Sequence, residues 1–213
     1  MNTLRLAGAI ALFSVATGAH AADLLTTTTP AATIGQPALS GFYAQVYGGA
    51  ALGGRFTWDP IGAGSSGFND QDLGWAAGGT LGWNTGLDGL SVEFDVLRAS
   101  RREAAPFANI GFDTTSAMVD AKYSFQLSDG FEVYAGAGLG AIDVSYMSIS
   151  GTTFSGWGLG YQAMAGAALK LTDTVSTFAE YRYQNTFGGV DIGLNAAFHV
   201  PTSEVLAGLK FKF

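Results

Sequence analysis

The chain has no cysteine. That removes disulfides and thiolate metal ligands, although it leaves the compartment open, because an exported protein can do without disulfides. Charge is also scarce. Asp, Glu, Lys and Arg together supply 13% of the residues, and the formal net charge is −7. An acidic balance argues against nucleic acid as a partner, which would need a basic footprint. Beyond Gly41 there is no apolar run of about 18 residues, so no transmembrane helix is encoded there. Past residue 21 the only histidine is His199. A Ser–His–acid arrangement would have to use it. Ser203 and Glu204 are near it in sequence, but loop neighbours do not make a triad. No metal-ligand spacing is visible. Gly48-Gly49, Gly53-Gly54 and Gly78-Gly79 lack the following helix and the Lys of a phosphate loop. No catalytic, metal or cofactor site is expected.

Glycine and aromatics are plentiful, with 31 Gly, 15 Phe, 8 Tyr and 4 Trp. This content with so little charge is unusual for a soluble domain, and it is too aromatic for a disordered one. The chain opens like an export signal. Arg5 supplies the positive start, residues 6–15 an apolar run, and Ala19-His20-Ala21 a small-x-small cleavage pattern. The apolar run is too short to span a bilayer. Residues 1–21 are therefore expected to be a signal peptide. Residues 22–40, rich in Thr and Ala with two Pro, read as a flexible N-terminal periplasmic segment. Residues 41–213 remain as the folded domain.

Within that domain, period-two alternation marks eight strands, near 41–53, 73–84, 90–96, 113–126, 131–141, 157–171, 175–184 and 204–213. The last reads EVLAGLKFKF. Val205, Ala207, Leu209, Phe211 and Phe213 share one face, and Glu204, Gly208, Lys210 and Lys212 share the other with Leu206. The connections alternate in length. Those at 84–89, 127–130 and 172–173 are short, and those at 53–72, 97–112, 143–156 and 185–203 are long. Residues 190–200 are apolar enough to prolong the last hairpin. An even strand count, weak amphipathicity and alternating connections predict an all-β fold, an eight-stranded antiparallel up-and-down transmembrane β-barrel. Short turns would face the periplasm and long loops the exterior. A soluble barrel of the lipocalin kind would instead turn its greasy face inward. Tyr and Trp toward the strand ends fit interfacial girdles better.

In the barrel the polar set points inward. It predicts a lumen charge network of Glu93, Asp95, Asp120, Lys122, Glu132, Lys170, Glu180, Arg182, Lys210 and Lys212. Isolated charges there would be costly, so they should pair or reach water. Glu180 or Arg182 with Lys210 is an expected cross-strand partnership, and closure would bring Tyr43, Gln45 and Tyr47 into the same network. Eight strands enclose little more than side chains. A filled or narrowly hydrated core is expected over a diffusion pore, with inner-face glycines making room for large neighbours.

Five stretches together resemble the small eight-stranded outer-membrane proteins of the opacity and surface-antigen type found in proteobacteria. They are GFYAQVYGGAALG from Gly41, LSVEFDV, VYAGAGLGAIDV, FAEYRYQNTFGG and the terminal LAGLKFKF. The resemblance implies a bacterial outer-membrane location and a structural or surface-interaction role rather than an enzyme. It implies outer-membrane lipids and lipopolysaccharide as surroundings, and extracellular ligands met through the loops. It also implies that Leu209, Phe211 and Phe213 form the signal read by the outer-membrane assembly machinery. Two other functions compete, a narrow porin-like channel for small solutes or ions and, on fold alone, a lipid-modifying enzyme.

Overall fold

Alternation of large apolar residues with small or polar ones makes every regular element among the described residues a strand. The computed structural model describes residues 41–213 apart from 62–63, 103–109, 149 and 195. The expected signal peptide and the segment 22–40 lie outside the described residues. In chain order the strands are β1 (Phe42–Leu52), β2 (Arg55–Pro60), β3 (Gly67–Asp70), β4 (Gly74–Asn84), β5 (Leu90–Arg102), β6 (Gly111–Ser128), β7 (Phe131–Met147), β8 (Thr153–Lys170), β9 (Val175–Thr186), β10 (Val190–Asp191), β11 (Ala196–His199) and β12 (Thr202–Lys212).

Eight of them close into an antiparallel barrel in the order β1-β12-β9-β8-β7-β6-β5-β4. The terminal strand is the seam. β12 pairs with β9 on one side and with β1 on the other, and β1 completes the ring by pairing with β4. No barrel strand is left with a free edge, so the backbone polar groups of the wall are satisfied without water. Tight connections close one end. At 128–131 the turn passes through Gly130 with φ 89°, a left-handed conformation that a side chain would strain.

The outer wall is apolar. Val46, Leu81, Phe94, Val119, Leu139, Leu159, Val205 and Leu209 all point out and are exposed. The polar alternates point in and are buried. A fold this greasy outside and charged inside needs a hydrocarbon solvent, which rules against the lipocalin-like alternative.

Toward the end with the long connections this polarity reverses. Leu97 and Ala99 of β5, Phe112 of β6 and Ile142 and Val144 of β7 are buried inside, while Arg98 and Arg102 stand outside. That reversal moves four expected boundaries. The segment 97–112 was expected to be a charged loop, but β5 continues to Arg102 and β6 starts at Gly111. The connection expected at 143–156 shrinks, because β7 runs to Met147 and β8 begins at Thr153.

The connection 53–72, expected to be a loop, and residues 190–200, expected to prolong the last hairpin, instead supply a second sheet, ordered β10-β11-β2-β3. It caps the barrel at the long-connection end. Phe56, Val190, Ile192, Phe198 and Val200 from these segments share one core with Phe112, Met118, Ile142 and Val144 from the barrel. Phe112 is central, with ring centroids 4.1 Å from Phe56 and 5.0 Å from Tyr146. The reversal thus has a physical reason. Above the bilayer the barrel wall meets water outside and an apolar cap inside.

Candidate functional site

The polar alternates of the barrel strands converge on a belt of side chains across the lumen. Arg182 projects from β9 and Asp95 from β5. Three strands separate these two on either side of the ring, so they are diametrically opposite. Their side chains nevertheless meet, with Nη1 of Arg182 2.6 Å from Oδ1 of Asp95. Nη2 and Nε of the same guanidinium donate to Oε1 of Glu180 at 2.7 and 2.9 Å. Lys122 of β6 lies 2.9 Å from Glu93 and 3.4 Å from Glu180. All five side chains are at most 3% exposed.

Two cations thus serve three carboxylates, and neutral donors supply the remaining contacts. Tyr43 donates to Glu93 at 2.5 Å, with Gln45 beside it at 3.4 Å. Tyr47 and Thr80 both donate to Oδ2 of Asp95, Thr80 at 2.7 Å. Tyr47 also accepts from Arg182 at 3.2 Å. Asp120 has no cation at hand and accepts from Gln162 at 2.5 Å. Gln162 in turn accepts from Gln184, which also donates to Ser116 at 2.9 Å. Burying this many charges is costly unless each is paired and hydrogen-bonded. Three residues here, Glu93, Asp95 and Glu180, meet that condition through two or more partners each.

Small residues leave room for the large ones. A Cβ on Gly82 would come 2.1 Å from the Tyr43 ring, and one on Gly166 would come 2.5 Å from the Tyr134 hydroxyl. Each glycine is the cross-strand neighbour that lets a tyrosine lie flat inside the wall.

The structure places the ten expected lumen charges in three groups. Glu93, Asp95, Lys122, Glu180 and Arg182 form the bonded belt, and Asp120 adjoins it. Lys210 and Glu132 lie nearer the short-turn end, 3.8 Å apart, with the Lys210 ammonium over the Tyr43 ring. Lys170 and Lys212 do not belong to the network, since both are exposed. Lys170 pairs with Asp173 at 2.7 Å in the turn after β8. There the hydrogen bond from Lys170, and then its charge, hold the Asp173 carboxyl below its ordinary range. The expected pairing of Lys210 with Glu180 or Arg182 is also not made. Register sets Lys210 opposite Ser176, and Arg182 opposite Glu204.

Sequence reasoning missed Gln162, Gln184, Thr80 and Ser116, because neutral side chains carry no charge signal. Their inward parity with Glu180 and Arg182 was the available clue. Arg101 was hidden by its assignment to a loop. His199, Ser203 and Glu204 do not come together. His199 lies on β11, 3.7 Å from Asp59, Ser203 points outward and accepts from Tyr181, and Glu204 points into the lumen. Among the described residues there is no metal-ligating cluster.

No curated protein matches the chain by sequence. Among solved structures, Neisserial surface protein A is similar at 23% identity and a TM-score of 0.60, covering 82% of this chain and 98% of the other. The outer membrane protein OprG from Pseudomonas aeruginosa is similar at 14% identity and a TM-score of 0.55, covering 82% and 96%. Both likenesses speak to the fold. A family described as "Outer membrane protein beta-barrel domain" matches residues 7–213, nearly the whole chain. The chain belongs to this family and is a β-barrel protein of the bacterial outer membrane.

Proposed function

We propose that this protein is a closed barrel with a structural and surface-interaction role in the bacterial envelope, of the opacity and surface-antigen type. The observation that carries the reading is the Arg182–Asp95 bridge, which crosses the whole diameter of the lumen. A solute moving along the axis would have to break this bridge together with those from Glu180 and Lys122. It would also have to pass the apolar cap. Both barriers oppose a porin-like channel.

On this reading the apolar wall sits among outer-membrane lipids and lipopolysaccharide. The short turns face the periplasm, and the cap sheet with its connections is the surface offered to extracellular ligands. Leu209, Phe211 and Phe213 face outward on the seam strand, where the assembly machinery can read them. Planar-bilayer recording on the purified, refolded protein tests the proposal. Silence across a range of voltages and salts is expected. Steady single-channel conductance that changes when Arg182 is replaced would overturn it in favour of the narrow channel.

A further inference from the structure

Between the charge belt and the cap, five inward side chains carry buried polar atoms without a hydrogen-bond partner. Glu204 has both carboxylate oxygens in this state, and Arg101 its Nε and Nη2. Thr114 and Thr202 contribute their hydroxyls, and Gln184 its Oε1. Every one of these residues is at most 2% exposed. Orphaned polar atoms are uncommon inside proteins, and a cluster of them marks a place where something polar binds.

The topology puts them around one space. A Cβ on Gly74 would lie 2.8 Å from the Arg101 side chain. Gly74 pairs with Ala51, and Ala51 pairs with Glu204. Arg101 and Glu204 are therefore level with each other, and the two strands between them present only a glycine and an alanine to the lumen. Arg101 Nη1 donates to the Pro201 carbonyl at 3.3 Å, which turns one edge of the guanidinium aside. Thr202 is the register partner of Gln184, and Gln184 reaches Ser116, the inward residue next to Thr114 on β6.

We propose that these five residues form an internal water site, in which bound water bridges the Arg101 guanidinium to the Glu204 carboxylate and takes up the two threonine hydroxyls. The chemistry of the lining selects water. A cation would suit Glu204 but face Arg101, and an anion would suit Arg101 but face Glu204. Water accepts from one and donates to the other, and a buried water makes about three hydrogen bonds. The site adjoins the belt through Gln184, which donates to Gln162, and does not depend on whether the lumen conducts.

Water–protein cross-relaxation measured by NMR on the full barrel in detergent micelles tests this. Cross-peaks between long-lived water and the side chains of Thr114 and Thr202 are expected in the wild type. They are expected to vanish in the Arg101→Leu/Glu204→Leu double variant. No such cross-peaks in the wild type, or cross-peaks unchanged in a folded double variant, would overturn the proposal. A crystal structure of the wild type gives an answer that does not rely on the variant folding. Ordered water bonded to both Arg101 and Glu204 supports the site. Direct contact between the two groups, a dry gap, or an ion in that space refutes it.

Discussion

Arg182 and Asp95 stand on opposite walls of the barrel and are joined by a contact of 2.6 Å. In an eight-stranded barrel the interior is only as wide as two inward side chains, and here those two meet. The bridge ties β9 to β5, which share no backbone hydrogen bonds, and Lys122 repeats the tie between β6 and β9. The belt therefore braces the barrel cross-section in a way that the backbone ladder, which links only neighbours, does not.

Removing Arg182 should expose the cost of this arrangement. Arg182→Met leaves Asp95 without its cation and Glu180 with Lys122 alone. Breaking a buried pair typically costs about 3–5 kcal/mol. The urea midpoint of the refolded barrel, followed by tryptophan fluorescence, should fall accordingly. Adding Asp95→Leu to Arg182→Met should recover part of the loss, because it removes the stranded charge. A double variant no more stable than the single one would show that the bridge is not the source of the effect.

The cap makes a different prediction. Phe112 belongs to a barrel strand but packs against Phe56 and lies 6.4 Å from Phe198 of the cap, centroid to centroid. Phe112→Ala should cost about 3–5 kcal/mol, the usual range for a buried phenylalanine, and the loss should fall mainly on the cap. Protease added to intact cells should then cleave within 53–72 or 187–201 in the variant and spare the wild type. The barrel core should stay protected in both. Cleavage at the same rate in the two proteins would contradict the shared core.

The barrel was legible in the sequence because one solvent, hydrocarbon, imposes one rule over most of each strand. Leu81, Phe94, Val119 and Leu159 obey it, and so do Glu93, Lys122 and Arg182 in reverse. The cap was not legible because the rule changes sign outside the bilayer. Leu97 and Ala99 inside, with Arg98 and Arg102 outside, look like the end of a strand to a reader expecting greasy residues on the outer face. β2, β3, β10 and β11 are short and sit among Gly, Asp and Asn, and their union into one sheet rests on the β11–β2 pairing, between segments more than a hundred residues apart. Within the belt, composition marked the charges. Which charge meets which depended on register, and that is why Lys210 went to Glu132 and not to Arg182.

Exposed charges at the short-turn end should behave unlike those of the belt. Lys122 is buried between two carboxylates, and Lys122→Met should lower the unfolding midpoint clearly. Lys170 is in water with Asp173, where an ion pair contributes little, and Lys170→Ala should leave the midpoint within experimental scatter. The pH dependence carries the same sign information. Because the folded Asp173 carboxyl lies below its ordinary value, any stability it adds is present above the ordinary carboxylate range and is lost as the pH falls through the folded value. Replacing Lys170 removes that contribution, and because the pair stands in water the acid limb of the stability profile should change little. A midpoint shift as large as that of Lys122→Met would mean that Lys170 does join the lumen network after all.

The terminal phenylalanine should matter more for assembly than for stability. Phe213 is exposed at 66% on the outer wall, so its ring is not part of the protein core. Its backbone amide donates to the Phe42 carbonyl at 3.1 Å, one bond at the seam between the first and last strands. A single such bond contributes roughly 0.5–1.5 kcal/mol, and nine other residue pairs of that seam lie above Lys212 in the register. Deleting Phe213 should therefore shift the urea midpoint of the refolded barrel only slightly. In cells, by contrast, the proposed role of Phe213 in the assembly signal predicts that the amount of heat-modifiable barrel in the outer membrane falls several-fold while the unfolded form accumulates. Two readings of the same truncation separate the roles. A large drop in midpoint with normal insertion would assign Phe213 to the seam, and normal values for both would leave it no role in either.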